Sequence, residues 1–146
     1  MENRINVGVI EPEAYKAFMA VENYIATSKI SKTHKELIKL RASQINGCAF
    51  CINMHTKDAR KHGETEQRIY LLNAWKEVKD LYTAEERAIL ALTEEMTLIA
   101  NGGVSDETYN NAKSFFDDNH LAQIMIAIIM INAWNRMAIA THLQPA

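Results

Sequence analysis

Cysteine, proline and glycine are scarce in this chain of 146 residues, which contains two cysteines, two prolines and five glycines. Small secreted domains that depend on disulfides carry about four to eight cysteines, so a disulfide-stapled scaffold is excluded. The shortage of turn-forming residues favours long helices over many short strands. At this length we expect one domain, spanning residues 1–146.

The chain also lacks an excess of positive charge and a long apolar run. Sixteen Lys and Arg against eighteen Asp and Glu give a net charge of −2, which argues against nucleic-acid binding. No signal-peptide pattern follows Met1. The longest charge-free run, residues 119–135, has polar side chains and is too short to span a membrane. We expect a cytoplasmic protein without a membrane partner.

No stretch alternates between apolar and polar residues as a strand does, whereas helix caps recur along the chain. We therefore predict an all-α domain of about seven helices with no sheet. The helices are expected to begin near Pro12, at a Thr33–Glu36 capping box, near Cys48, at Thr65, at a Thr83–Glu86 capping box, at Ser105 and near His120.

Two of these segments carry further expectations. In the fourth segment, Ile69, Leu72, Trp75 and Val78 recur at helical spacing, which predicts one continuous helix. The last segment is apolar on every side over residues 124–131, so it is predicted to be the buried central helix.

A Cys-x-x-Cys-x-x-x-His motif contains Cys48, Cys51 and His55. With about 100° per residue, a helix projects these three side chains within an arc of roughly 60°. Cys48 follows Gly47, and the N-terminus of a helix favours a thiolate. A neighbouring imidazole can accept the proton of a thiol. The motif therefore predicts a dithiol that cycles to a disulfide.

Other interpretations of the motif stay open. Cys48, Cys51 and His55 could bind zinc with a fourth ligand from elsewhere, or the cysteines could be buried and inert. Haem attachment is excluded because Ile52, and not histidine, follows Cys51. A thioredoxin-like host is excluded because no strands surround the motif.

Glu36 lies twelve residues before Cys48 and has two possible roles. As the last member of the Thr33–Glu36 capping box, it would stabilise the start of a helix. Alternatively, its carboxylate would orient His55 or relay the proton of that imidazole.

Glu36, Cys48, Cys51 and His55 together resemble the signature of the alkylhydroperoxidase AhpD-like proteins, the redox branch of the carboxymuconolactone decarboxylase superfamily. Residues 131–136 are similar to family members as well. The resemblance implies an all-helical fold and a homotrimer or homohexamer. It also implies peroxidase activity towards organic hydroperoxides and H2O2, with no cofactor.

By the same resemblance, Cys51 would attack the peroxide and Cys48 would be the resolving thiol. His55 would be the general base and Glu36 its partner. An external dithiol, lipoyl-linked or another thiol, would reopen the disulfide. The chain departs from the family at Phe50, where the characterised alkylhydroperoxidase has a histidine.

Two further function classes remain as alternatives: a carboxymuconolactone decarboxylase-like enzyme for a small molecule, and a redox sensor without enzymatic activity. The decarboxylase branch generally lacks the cysteine pair, which counts against the first.

Polar residues on the apolar last helix need partners. Asn132, Asn135 and Arg136 are expected to form buried hydrogen bonds or a subunit contact, with a place beside a substrate pocket as the alternative. Trp75 and Trp134 are expected in the core or an interface.

Overall fold

The computed structural model describes residues 4–146, which form helices and no strand. The all-α prediction is therefore confirmed. Eight α-helices follow one another: α1 Val7–Ile10, α2 Pro12–Ala26, α3 Lys32–Asn46, α4 Ala49–Lys61, α5 Glu66–Tyr70, α6 Ala84–Thr97, α7 Asp106–Phe115 and α8 Asp118–Ala140. The short α1, which begins at an Asn6 cap, has no counterpart among the seven predicted segments.

Side-chain caps define where most of these helices begin. At each, an extended residue accepts a hydrogen bond from a backbone N–H of the first turn, as helix caps do. The residues that cap in this way include Thr65, Thr83, Ser105 and Asp117. The capping box of Thr83 and Glu86 is complete and confirms that prediction.

The predicted capping box at Thr33–Glu36 is wrong. Ser31 is the N-cap of α3, and its hydroxyl accepts the N–H of His34 at 3.1 Å. Because the helix begins before Thr33, that residue lies inside the first turn. Glu36 is therefore not needed as a cap.

The prediction of one continuous helix from Thr65 to Val78 is also wrong. α5 ends at Tyr70, and a single 3₁₀ turn follows at Leu72–Ala74. Arg87 donates to the backbone carbonyls of Trp75 and Val78 at 3.0 and 2.9 Å, which satisfies these groups without a helix. The apolar spacing nevertheless identifies buried residues, since Leu72 and Trp75 lie in the core.

The central position predicted for the last helix is confirmed, because α8 packs against α2, α3, α4, α6 and α7. Ile124, Ile128 and Ile131 are buried, but Ile129 is 56% exposed, so burial on every side is wrong. By length and hydropathy alone α8 could cross a membrane. Half of the apolar stretch of α8 that meets this criterion is buried inside the protein, as in the core helix of a globular fold.

Buried amides join the end of α3 to α8. Asn46 Nδ2 donates to Oδ1 of both Asn132 and Asn135 at 2.9 Å, and Asn135 Nδ2 donates to Ser43 Oγ at 3.0 Å. Arg136 donates to the backbone and side-chain oxygens of Asn132. The expected buried hydrogen bonding is confirmed for Asn132 and Asn135, whereas Arg136 is exposed. We call Ser43, Asn46, Asn132 and Asn135 the amide clamp.

A second polar cluster ties α5 to α6. The Arg68 guanidinium donates to Glu86 at 2.6 and 3.1 Å and to Glu64 at 2.7 Å. Burial alone would raise the pKa of Glu86, but hydrogen bonds from Arg68 and from the Thr83 N–H lower it overall. Glu86 therefore favours folding in its ionised form.

We predict that this cluster makes the free energy of unfolding depend on pH in the acidic range. Because folding lowers the pKa of Glu86, its contribution is present above the unfolded pKa of about 4.3 and is lost as the pH falls through the folded value. The free energy of unfolding, measured in urea from pH 7 to pH 3, should fall less steeply in Glu86→Gln than in the wild type. Glu85→Gln, at an exposed neighbour, is the control, and an equal slope in all three proteins would contradict the prediction.

Candidate active site

The two cysteines lie at the junction of α3 and α4. Gly47 ends α3 in the left-handed conformation, with φ of 70°, which glycine adopts without strain. Cys48 is then the extended N-cap of α4, and its Sγ accepts the N–H of Cys51 at 3.4 Å. A disulfide joins Cys48 to Cys51, with a Cα–Cα separation of 5.3 Å. The dithiol motif thus closes within the first turn of one helix.

His55 and Glu36 form a buried pair beside this disulfide. His55 Nδ1 lies 3.1 Å from Glu36 Oε2, and the residues are 6% and 9% exposed. Of the two roles open to Glu36, the structure shows the contact with His55. A carboxylate at Nδ1 keeps the proton on that nitrogen, which leaves Nε2 as the acceptor.

Asp58 also belongs to this group, although the sequence reasoning missed it. Ligand-type atoms of Glu36, His55 and Asp58 all lie within 4.8 Å of one another. The signal was present in the spacing, because Cys51, His55 and Asp58 follow the i, i+4, i+7 pattern of one helix face. The cysteine-based zinc site has no support in this state, because the sulfurs of Cys48 and Cys51 are bonded to each other and are not thiolates.

A cavity of about 390 Å³ opens beside Cys51, His55 and Asp58. Cys48 is not among its lining residues. The polar part of its wall includes Lys39 and Glu22, which are paired with each other. The rest is largely apolar, from Tyr15, Met19, Phe50, Met54, Ile131, Trp134, Met137, Ala138 and Leu143.

The two tryptophans have different places. Trp75 lies in the core, as expected. Trp134 is half-buried in the wall of the cavity, where its indole N–H donates to Glu22 at 3.2 Å. Its assignment to core or interface is therefore incomplete. Tyr15 and Phe18 of α2 meet its ring edge to face. Phe50, at the departure from the family pattern, packs on the cysteines and Ala138.

Comparison with known families identifies the family of this chain. The family model for the carboxymuconolactone decarboxylase family matches residues 12–95, which include Glu36, Cys48, Cys51, His55 and Asp58. The chain belongs to the carboxymuconolactone decarboxylase family. Within that family it is AhpD-like, as its relatives indicate.

The uncharacterised protein YdfG of Bacillus subtilis is 49% identical over 140 residues, which cover 96% of this chain and 95% of YdfG. The crystal structure of ATU0492 from Agrobacterium tumefaciens has a TM-score of 0.94 and 43% identity, with 99% of both chains covered. That protein is of unknown function and is assigned provisionally to antioxidant defence as AhpD.

Two further proteins that are similar to this chain are named for different activities. The alkyl hydroperoxide reductase AhpD of Hyphomonas neptunium is 40% identical over 47 residues, which cover 32% of this chain and 26% of that protein. The debrominase Bmp8 shares the fold, with a TM-score of 0.79 at 18% identity over 93% of this chain and 72% of Bmp8. The shared fold therefore does not define the reaction, which depends on the side chains of the site.

We predict that Cys51 is the more reactive thiol of the reduced protein. Cys51 faces the cavity beside His55, whereas Cys48 does not line it. Limiting iodoacetamide at pH 7, followed by peptide mass spectrometry, should find the label on Cys51 first. Glu36→Gln should slow that labelling by about ten-fold, because the imidazolium loses its carboxylate partner. Faster labelling of Cys48 would contradict the assignment.

Proposed function

We propose that this protein is a thiol-dependent peroxidase, which reduces hydroperoxides through a dithiol–disulfide cycle of Cys48 and Cys51 and serves antioxidant defence. The observation that carries the proposal is the disulfide beside the buried His55–Glu36 pair, with Cys51 facing an apolar cavity. The relatives named AhpD support the same chemistry.

In the reduced enzyme, His55 Nε2 takes the proton of the Cys51 thiol, while Glu36 holds Nδ1–H and stabilises the charged ring. The thiolate attacks the terminal oxygen of the hydroperoxide, and the O–O bond breaks. The leaving oxygen takes the proton from His55 and departs as the alcohol. Cys51 is left as a sulfenic acid.

Cys48 then acts as the resolving thiol. Its sulfur attacks Cys51, an S–S bond forms and the hydroxyl of the sulfenic acid leaves as water. An external dithiol reopens the disulfide by attacking Cys51, which lines the cavity. Cys48 departs as a thiolate at the N-cap of α4, where the helix N-terminus and the N–H of Cys51 stabilise its charge.

The cavity wall defines the substrate class that we propose. Aromatic and thioether side chains dominate it, and Phe50 adds an apolar ring beside the sulfurs. Burial of a hydrocarbon group against such a wall is favourable. We therefore propose organic hydroperoxides as better substrates than H2O2, and a compact dithiol such as a lipoyl group as reductant. The cycle needs no cofactor, and a reducing cytoplasm would supply its electrons.

We predict that hydroperoxide consumption depends on Cys51. With dihydrolipoamide as reductant, the wild type should consume cumene hydroperoxide faster than H2O2, and Cys51→Ser should abolish turnover. Cys48→Ser should stop after one equivalent, with a sulfenic acid on Cys51 that dimedone traps. Phe50→His, which introduces the histidine of the characterised alkylhydroperoxidase, tests whether a polar group there speeds turnover.

Other results of this assay would identify the alternatives. Two thiols that stay titratable after hydroperoxide treatment would refute the peroxidase. Oxidation of one equivalent with no cycling in excess reductant would indicate a sensor. Small-molecule turnover that survives replacement of both cysteines would indicate a decarboxylase-like enzyme.

We propose further that the protein is a homotrimer or homohexamer that assembles through α8. Ile129 and Ile139 are 56% and 42% exposed on this otherwise central helix. Ile129 lines a shallow groove of about 290 Å³ together with Met96 and Ala133. Exposed apolar side chains around a groove are typical of subunit contacts.

We predict that Ile129→Glu weakens this assembly, because it would bury a charge without a partner. Light scattering after size exclusion should give a smaller mass for the variant than for the wild type, with an unchanged circular dichroism spectrum. Val9→Glu, on exposed α1, is the matched control. A monomeric wild type would contradict the proposal.

A further inference from the structure

Asp58 lies at the C-terminal end of α4, close to a second carboxylate. It is half-buried and begins the last turn of α4, where the helix dipole disfavours negative charge. The carboxylate of Glu36 lies within 4.8 Å, which adds like-charge repulsion. Over residues 4–146, no salt bridge or side-chain hydrogen bond to Asp58 is formed. Neither an ion pair nor a side-chain hydrogen bond therefore accounts for a carboxylate at this position.

The cavity gives a reason. Asp58 lines it together with Cys51 and His55, on the same face of α4. His55 and Glu36 are almost wholly buried, whereas Asp58 is partly open to solvent. Asp58 is thus the most solvent-accessible of the three side chains. Phe50, which also lines the cavity near the sulfurs, has no group that can carry a proton.

The other charges around the cavity leave this role to Asp58. On α3, Glu36 is paired with His55, and Lys39 is paired with Glu22 of α2. Tyr15 of α2 is the other titratable group of the wall. The side chains that α8 and Leu143 contribute to the lining are uncharged. Of the carboxylates that line the cavity, Asp58 is the one without a cationic partner.

We propose that Asp58 is a positioning and proton-relay residue that acts through His55 and exchanges its proton with solvent. This inference rests on the proposed function. When a dithiol reduces the disulfide, two electrons pass to Cys48 and Cys51, the reductant closes to its own disulfide, and its two thiol protons are released. The two new protein thiolates must each take up a proton. Asp58 would carry protons between water and His55, and His55 between Asp58 and Cys51.

The test measures proton transfer apart from peroxide chemistry. Stopped-flow fluorescence would follow reduction of the Cys48–Cys51 disulfide by dithiothreitol in the wild type, Asp58→Asn and Asp58→Glu. We expect Asp58→Asn to be about ten-fold slower. Added sodium formate, at constant ionic strength, should restore its rate as a small carboxylate substitutes for the missing one. Asp58→Glu should keep most of the wild-type rate.

Thermal unfolding of the same variants separates a role in proton transfer from one in folding. Asp58→Asn should melt at the wild-type temperature or above it, because an unfavourable charge is removed. Asp80→Asn, an exposed aspartate outside the cavity, is the matched control and should change neither rate nor melting. Slower reduction together with higher stability would support the relay.

Three results would overturn it: a wild-type rate in Asp58→Asn, a slow rate that formate does not restore, or a rate that falls with EDTA and returns with Zn²⁺. The last would make the carboxylate a metal ligand. Hydroperoxide consumption is measured on the same proteins, with Cys51→Ser as the baseline. A wild type that consumes no hydroperoxide, while Asp58→Asn still slows dithiol exchange with formate rescue, would refute the peroxidase and support the relay.

Discussion

Buried hydrogen bonds between α3 and α8 hold the turn on which the candidate site depends. Asn46, the last residue of α3, donates to two asparagines of the central helix, and Gly47 follows immediately in the left-handed conformation. Because the two asparagines of α8 are buried, breaking these bonds would leave their amide oxygens unsatisfied. The clamp therefore fixes the direction in which the chain leaves α3. Cys48 begins α4 from that fixed point.

The packing of α4 against α3 has a chemical consequence. It brings Glu36 against His55, although the two are separated by nineteen residues, and buries both. A buried carboxylate and imidazole stabilise each other only while they stay in contact, so the proposed chemistry requires this junction to keep its geometry. Beside the pair, the cavity and Asp58 would give substrate and protons access in the proposed reaction.

The helical fold of this chain occurs in proteins named for more than one reaction. Bmp8, named a debrominase, has the same fold at low identity, while the relatives named AhpD are assigned to peroxide reduction. In the proposed function, the reaction of this chain depends on a few side chains at one helix junction and on an apolar wall that α2 and α8 complete. Phe50 adds an apolar ring to that wall.

The sequence by itself determined the helical class, most of the helix starts, and the proximity of Cys48, Cys51 and His55. These features are local, since caps act within one turn and the helical period places nearby residues on one face. The N-cap at Ser31 and the break after Tyr70 were missed. A capping pattern or an apolar spacing, taken without its tertiary contacts, is compatible with more than one local structure. Only the tertiary structure decided which residues Glu36 and Trp134 contact. Each meets its partner across a helix–helix contact, and local spacing carries no information about such packing.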